Sequence, residues 1–225
     1  MSAAAQSGAA RMARAGVAPG GAGLGLVLLH GRGGTAADIL GLAGLIRRAD
    51  MAVIAPEAAG NSWWPVSFLA PMAELAPWLD RALAAVDAAV DELQEAGLAR
   101  ADIAVAGFSQ GACLALEWAA RRGGPLRAVA GLSGGLVGTA DAPGAPEAGL
   151  YGHRPKLMEQ SGRLDGVPVW LGCHARDPHI PEARVRQSAE TLGGLGARVE
   201  MTLYPGAGHG LTQADVTALR RMLDG

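Results

Sequence analysis

Short apolar runs alternate with amphipathic segments along most of this chain. The apolar runs have the length of buried strands, and glycine or proline often ends them. They predict six strands, over residues 24–30, 52–56, 102–108, 126–132, 167–173 and 197–204. Apolar residues at helical spacing predict five helices, over residues 35–50, 76–96, 110–122, 181–195 and 211–223.

The alternation of strand and helix predicts an α/β fold with a mostly parallel, twisted sheet. Parallel neighbours need crossover connections, and right-handed crossovers place helices on both faces of the sheet. The strands are almost continuously apolar, as expected when both faces are covered. Since ligands of such sheets bind at the carboxyl ends of the strands, we expect the functional residues directly after strands.

Two long segments and the N-terminus interrupt this alternation. Residues 60–77 and 134–166 are long, contain many Gly and Pro residues, and begin near strand ends, so we expect them to form a small loop cap over the site. Residues 1–20 have a strong bias to small residues and predict a flexible segment, which leaves residues 21–225 as a single domain. Thr35 and Asp38 predict a variant of the capping box at the start of the first helix.

Composition excludes several classes of protein. The chain has 225 residues and a formal charge of −2, without a run of one sign, so a nucleic-acid partner is not expected. Its two cysteines, Cys113 and Cys173, lie in apolar runs and predict buried free thiols. No apolar stretch approaches the roughly 18 residues of a membrane span. We therefore expect a cytoplasmic protein without integral membrane association.

Ser109 is the candidate nucleophile. It is the centre of G-F-S-Q-G (residues 107–111), between a predicted strand and a predicted helix. This context is required of the nucleophile elbow G-x-S-x-G, where a sharp turn exposes the serine hydroxyl. The glycines let strand and helix approach each other, and the helix N-terminus offers free N–H groups to a developing oxyanion. An ordinary tight Gly-Ser turn is the alternative.

His209 is the candidate base for this serine. It lies between two glycines, after the last predicted strand and before the last predicted helix. A surface histidine without a function is the alternative. His30 also follows a strand, but it opens the glycine-rich turn 30–34, and we expect it to anchor that turn by hydrogen bonding.

Asp177 is the candidate acid that orients the base. It follows the fifth predicted strand, and the chain order serine, aspartate, histidine is that of α/β-hydrolases. Asp177 could instead cap the next helix or pair with Arg176. Asp141 and Asp165 are competing acids, but both precede the fifth strand.

The glycine-rich turn 30–34 follows the first predicted strand. Such a turn brings backbone N–H groups close to a ligand and can complete an oxyanion hole. A nucleotide-type phosphate loop is excluded, because neither G-K-[ST] nor a G-x-G-x-x-G motif in the required place is present.

Together these motifs resemble the phospholipase/carboxylesterase family of α/β-hydrolases, over roughly residues 24–223. The resemblance rests on L-L-H-G (28–31), G-F-S-Q-G (107–111), G-L-S-G (131–134), D-P with I-P (177–181), and Y-P with G-H (204–209). It implies an α/β-hydrolase fold and hydrolysis of carboxylic esters without a metal or an organic cofactor.

The resemblance also implies roles for individual residues. Ser109, Asp177 and His209 would form a catalytic triad that hydrolyses the ester through an acyl-enzyme on the serine. The backbone N–H groups of Arg32 and Gln110 would bind the oxyanion. A thioesterase or lysophospholipase with the same triad is the alternative, and a non-catalytic small-molecule-binding protein on this fold is a remote one.

Aromatic residues of the 60–77 segment predict the wall of a substrate pocket. The predicted pocket residues are Gly31, Gly33, Trp63, Trp64, Phe68 and His179. Such a pocket would favour esters with small or medium apolar groups. Ordinary packing of the aromatic residues is the alternative. We expect a small-molecule ester as the partner, and a homodimer remains open.

Overall fold

The computed structural model describes residues 11–143, 153–156 and 162–225. Its strands, in chain order, are β1 (Arg11–Gly16), β2 (Leu24–Leu29), β3 (Met51–Glu57), β4 (Ile103–Phe108), β5 (Ala128–Leu132), β6 (Thr139–Pro143), β7 (His153–Pro155), β8 (Pro168–Arg176) and β9 (Arg198–Ala207). Its helices are α1 (Ala36–Ile46), α2 (Met72–Glu95), α3 (Gln110–Arg122), α4 (Glu182–Gly194) and α5 (Gln213–Asp224). The six predicted strands and five predicted helices are therefore confirmed.

One sheet of seven strands forms the centre of the molecule, in the order β1-β3-β2-β4-β5-β8-β9. All neighbouring strands run parallel except β1, which pairs with β3 antiparallel. Helices α2, α3 and α4 pack on one face around a large apolar cluster, and α1 and α5 pack on the other. The predicted α/β-hydrolase architecture, with helices on both faces of a mostly parallel sheet, is confirmed.

Two helix boundaries differ from the prediction. Helix α1 ends at Ile46, because Arg47 adopts a left-handed conformation with φ 57° and so stops the helix before residue 50. Helix α2 begins at Met72, before the predicted residue 76, and contains Pro77 in its second turn. Pro77 cannot donate to the carbonyl of Ala73, so the helix lacks this one hydrogen bond near its start and yet begins at Met72.

The prediction of a flexible segment over residues 1–20 is wrong for its second half. Residues 11–16 form the edge strand β1, and Arg14 forms an ion pair of 2.6 Å with Glu92 of α2. The strand depends on pairing with β3, which is distant in sequence, so local composition could not reveal it. Residues 1–10 lie outside the described residues.

The two long segments are only partly irregular. Residues 59–61 form a 3-10 turn, and the first turns of α2 occupy the end of the 60–77 segment. Within 134–166, β6 and β7 pair antiparallel as a small separate sheet. Residues 144–152 and 157–161 lie outside the described residues. No helix in the described part of the chain is long and apolar enough to cross a membrane.

Candidate active site

Ser109 occupies a strained turn between β4 and α3. Its backbone has φ 55° and ψ −119°, a conformation that residues other than glycine rarely adopt. A Cβ atom on Gly107 would lie 2.3 Å from the carbonyl oxygen of Gly111, and one on Gly111 would lie 2.1 Å from that of Leu29. Both glycines are therefore required by close backbone contacts, and the G-x-S-x-G motif has the geometry of a nucleophile elbow.

Ser109, His209 and Asp177 form a continuous hydrogen-bond chain. The Ser109 Oγ lies 2.8 Å from Nε2 of His209, and Nδ1 of the same ring lies 2.8 Å from Oδ2 of Asp177. With hydrogen on Nδ1, the imidazole donates to the carboxylate and accepts from the serine hydroxyl. The three side chains come from the loops after β4, β8 and β9, at the carboxyl end of the sheet.

Asp177 is held by its own loop. Its side chain is fully buried, and its Oδ1 accepts the backbone N–H groups of His179 at 2.8 Å and Ile180 at 3.0 Å. The thiol of Cys173 lies 3.6 Å from Oδ2. Burial and the neighbouring Asp177 carboxylate raise the pKa of this thiol to about 12, so it stays protonated near neutral pH. Both oxygens of the carboxylate thus accept hydrogen bonds.

The competing acids lie elsewhere. Asp165 is exposed and forms an ion pair of 2.6 Å with Arg163, and Asp141 accepts the backbone N–H of Ala73 at 2.7 Å. Helix α4 begins beyond the Asp177 turn, at Glu182, so Asp177 does not cap that helix. The structure brings only Asp177 of these three acids to His209.

Two backbone N–H groups near Ser109 are available to a ligand. Among the described residues, neither the N–H of Arg32 nor that of Gln110 donates to a protein acceptor. The next two N–H groups of the turn are used, since Gly33 donates to Asn61 at 2.7 Å and Gly34 donates to Gly31 at 3.1 Å. The turn thus leaves free the N–H group of Arg32, which the sequence predicts as a donor to the oxyanion.

The Gln110 side chain connects the elbow to the 62–64 segment. Its Oε1 accepts the backbone N–H of Trp63 at 2.9 Å, and its Nε2 donates to the carbonyl of Trp64 at 2.8 Å. This amide thus satisfies one backbone N–H group and one backbone carbonyl of a buried loop. It thereby positions the loop against the N-terminus of α3. Sequence reasoning predicted only the backbone role of Gln110.

A cleft of about 520 Å³ opens above Ser109. Its lining comprises residues 31–32, 64–68, 108–110, 113, 179–180 and 209. Among the predicted pocket residues, Gly31, Trp64, Phe68 and His179 line it. No described residue between 134 and 166 does so, and residues 64–68, here called the 64–68 wall, form its loop side.

Trp63 and Gly33 do not line the cleft, so their prediction as pocket residues is wrong. Trp63 is buried against His30, with ring centroids 5.0 Å apart, and its Nε1 donates to the His30 carbonyl at 2.9 Å. The backbone N–H of Gly33 donates to the carbonyl of Asn61. The Nε2 of His30 accepts the Ala58 N–H at 3.0 Å, so His30 anchors the turn as predicted.

Several cleft residues were missed by sequence reasoning. Phe108 contacts the base, with its ring centroid 5.1 Å from that of His209, as does the predicted pocket residue His179 at 4.8 Å. Cys113 is buried at the cleft, and burial raises the pKa of its thiol to about 12. Ile180 also lines the cleft. Phe108 and Ile180 directly adjoin predicted site residues, which is the signal that could have identified them.

A buried aspartate supports the loop that carries His209. Asp215 accepts Tyr204 OH at 2.7 Å and Trp170 Nε1 at 3.0 Å with one oxygen, and the N–H of Thr212 at 2.9 Å with the other. It is fully buried, and a Cβ atom on Gly172 would lie 1.9 Å from its Oδ1. Asp215 therefore joins α5 to β8 and β9 at the end of the sheet next to His209.

Solved structures with the same fold include esterases. A phospholipase/carboxylesterase from Dyadobacter fermentans DSM 18053 is 34% identical, with a TM-score of 0.85 over 96% of this chain and 97% of that chain. Esterase PE8 is 26% identical, with a TM-score of 0.72 over 96% and 97%. The Bacillus cereus carboxylesterase, 19% identical with a TM-score of 0.65 over 96% and 93%, shares the fold. No curated protein matches the chain significantly.

A family model supports the same relationship. The model described as phospholipase/carboxylesterase matches residues 24–224. The matched range includes β2 to β9, all five helices and the hydrogen-bonded Ser109, His209 and Asp177. Family and neighbours support a hydrolase of the carboxylesterase kind, and the chain belongs to the phospholipase/carboxylesterase family of α/β-hydrolases.

Proposed function

We propose that the protein is a serine carboxylesterase that hydrolyses esters of small or medium apolar substrates through an acyl-enzyme on Ser109. The observation that supports this best is the hydrogen-bond chain from Asp177 through His209 to Ser109, with 2.8 Å at both contacts of the imidazole. This hydrogen-bond chain ends at Ser109, at the floor of a cleft that is large enough for such a substrate.

The first half of the reaction forms the acyl-enzyme. The Ser109 Oγ attacks the ester carbonyl while Nε2 of His209 accepts its proton, and Asp177 remains ionised and stabilises the imidazolium. The N–H groups of Arg32 and Gln110 donate to the oxyanion, each contributing about 3 kcal/mol to transition-state stabilisation. The carbon–oxygen bond to the alcohol then breaks, and the imidazolium returns the proton to the leaving oxygen.

The second half releases the acid. A water molecule attacks the acyl carbonyl and gives its proton to His209, which returns it to Ser109 Oγ as the acyl–oxygen bond breaks. The reaction needs only water as co-reactant. Trp64, Phe68 and Ile180 supply apolar surface to the cleft, which can accommodate the apolar part of a small or medium substrate.

Replacement of the nucleophile tests the proposal directly. We expect Ser109→Ala to lower kcat for p-nitrophenyl butyrate by at least about 10⁴-fold, with an unchanged circular-dichroism spectrum. Ser133→Ala is the matched control: Ser133 also has φ 55° after a strand, but its hydroxyl lies 3.4 Å from the Gly210 carbonyl. Unchanged turnover by the Ser109 variant would contradict the proposal.

Replacement of the acid separates the candidate carboxylates. We expect Asp177→Asn to lower kcat by about 10³-fold to 10⁴-fold, because the amide favours the wrong imidazole tautomer. Asp165→Asn should leave kcat within about twofold, since Asp165 contacts Arg163 at the surface. The reverse result would assign the acid to Asp165.

A matched thioester in the same assay tests the alternative functions. Faster turnover of the thioester than of the ester would identify a thioesterase, and binding without turnover would indicate a binding protein.

A further inference from the structure

We infer that the cleft is selective for esters whose acyl chain carries a carboxylate, and that the guanidinium of Arg32 binds this group. The inference rests on the proposed ester hydrolysis and adds a substrate class to it. Arg32 would then act twice, through its backbone N–H at the reacting carbonyl and through its side chain at the rim of the cleft.

The charge of the cleft is the first observation. Arg32 is the single lysine or arginine among the described residues that line it, and no aspartate or glutamate lies in this lining. Asp177, the nearest acid of the site, is fully buried behind the imidazole of His209. A substrate therefore meets one positive charge that no lining carboxylate balances.

The position of the guanidinium is the second observation. Its two terminal nitrogens donate to the carbonyls of Pro65 at 3.0 Å and Val66 at 2.5 Å, in the 64–68 wall. These bonds use two of the five guanidinium N–H donors. Their acceptors are neutral, so they orient the group without compensating its charge. Arg32 forms no salt bridge within the described residues.

The remaining donors suit a carboxylate. A guanidinium is planar and can give two parallel hydrogen bonds to one carboxylate, which are stronger than bonds between neutral groups. The rest of the 64–68 wall is mostly apolar and accommodates the methylene groups that would separate this carboxylate from the ester. A monoester of a short dicarboxylic acid has both the free carboxylate and the methylene groups that separate it from the ester.

A pair of esters with equal chain length tests the inference. Monomethyl glutarate carries the terminal carboxylate, and methyl pentanoate carries a methyl group in its place. The kcat/KM of each ester is measured by alkali titration at low ionic strength for the wild type, Arg32→Gln and Arg32→Lys. The anionic-to-neutral ratio of kcat/KM is compared, because any damage to the oxyanion turn or to the wall affects both esters and cancels.

We expect Arg32→Gln to lower this ratio about tenfold, and Arg32→Lys to retain part of it, since lysine keeps the charge but loses the planar fork. Arg198→Gln is the matched control. Its Nε also donates to a backbone carbonyl, that of Gly166 at 2.9 Å, but Arg198 begins β9 at the opposite end of the sheet. Its ratio should stay within twofold of the wild type.

The outcomes distinguish the inference from the proposed function. A wild-type protein that hydrolyses methyl pentanoate but shows the same ratio as Arg32→Gln would overturn the inference and leave the esterase proposal intact. A wild-type protein that hydrolyses neither these esters nor p-nitrophenyl butyrate would overturn both. In support, added salt should slow the wild type on monomethyl glutarate and leave methyl pentanoate unaffected.

Discussion

Two helices of this protein begin with the same motif, and both follow a loop of the candidate active site. Thr35 and Asp38 open α1 after the turn that contains Arg32, and Thr212 and Asp215 open α5 after the loop that contains His209. Their local geometry is almost identical. In each, the aspartate accepts the threonine N–H, at 2.8 Å in α1 and 2.9 Å in α5, and donates its own N–H to the threonine hydroxyl.

The two aspartates differ in their surroundings. Asp38 is exposed and bonds to Thr35 of its own turn. Asp215 is fully buried and also accepts from Trp170 on β8 and Tyr204 on β9. The same capping box is therefore a local helix cap in α1 and a cross-link between helix and sheet in α5. Loss of a buried acceptor costs more than loss of a cap, because its donors remain desolvated and unpaired.

The largest expected difference comes from removing each carboxylate. We expect Asp215→Ala to lower the free energy of unfolding by about 3–5 kcal/mol, from the lost cap and from the loss of the acceptor of the buried Trp170 N–H and the half-buried Tyr204 hydroxyl. It should also lower kcat strongly, because the His209 loop loses its attachment to β8 and β9. Asp38→Ala should have a much smaller effect on both. Urea unfolding and kcat for p-nitrophenyl butyrate measure the two quantities, and equal effects at both sites would remove the distinction.

A milder change isolates one part of the cross-link. Tyr204→Phe removes the hydroxyl that donates to Asp215 at 2.7 Å and leaves the other partners in place. Burial keeps the pKa of Tyr204 above its usual range, so the hydroxyl is a donor at neutral pH. We expect a loss of about 1–2 kcal/mol in unfolding free energy.

We also expect kcat of Tyr204→Phe to fall roughly threefold to tenfold with KM unchanged, the equivalent of about 1 kcal/mol of lost positioning. Thr35→Ala is the control, because it costs about 1 kcal/mol of stability at the other box. A kcat that falls equally in both variants would point to general destabilisation rather than to positioning of His209.

The smallest expected effect is a pH dependence at the exposed box. Hydrogen bonds from the hydroxyl and the N–H of Thr35 hold the pKa of Asp38 below its ordinary value of 3.8. The cap's contribution is therefore complete above that ordinary value and is lost as the pH falls through the lowered pKa. The urea midpoints of wild type and Asp38→Asn should differ slightly at pH 6, and the difference should shrink progressively as the pH falls below 3.8. A constant difference would contradict this assignment.

The contrast between the boxes also explains which features the sequence could predict. The box at Thr35 was predicted because it directly precedes a clear helical pattern. Its counterpart at Thr212 has the same residue types at the same spacing. Its contribution to stability depends on Trp170 and Tyr204, which only the fold brings to Asp215. Contacts between distant residues are not encoded in local periodicity.

The site follows the same rule. Ser109, Asp177 and His209 were predictable because the parallel arrangement places the carboxyl ends of β4, β8 and β9 at one edge of the sheet. Trp63 and Trp64 are adjacent and chemically equal, so the sequence could not tell that Trp63 packs on His30 while Trp64 lines the cleft. The choice depends on the Gln110 side chain, which binds the backbone of both tryptophans.

The antiparallel strand at the edge of the sheet has a consequence for aggregation. Strand β3 is apolar and almost completely buried, and without β1 its unpaired N–H and C=O groups would offer a template for another chain. Strand β1 replaces this edge by a strand of only six residues that carries Arg11 and Arg14. Short edge strands with positive charges pair poorly with other strands. These few residues thus keep the apolar strand β3 from becoming an intermolecular contact.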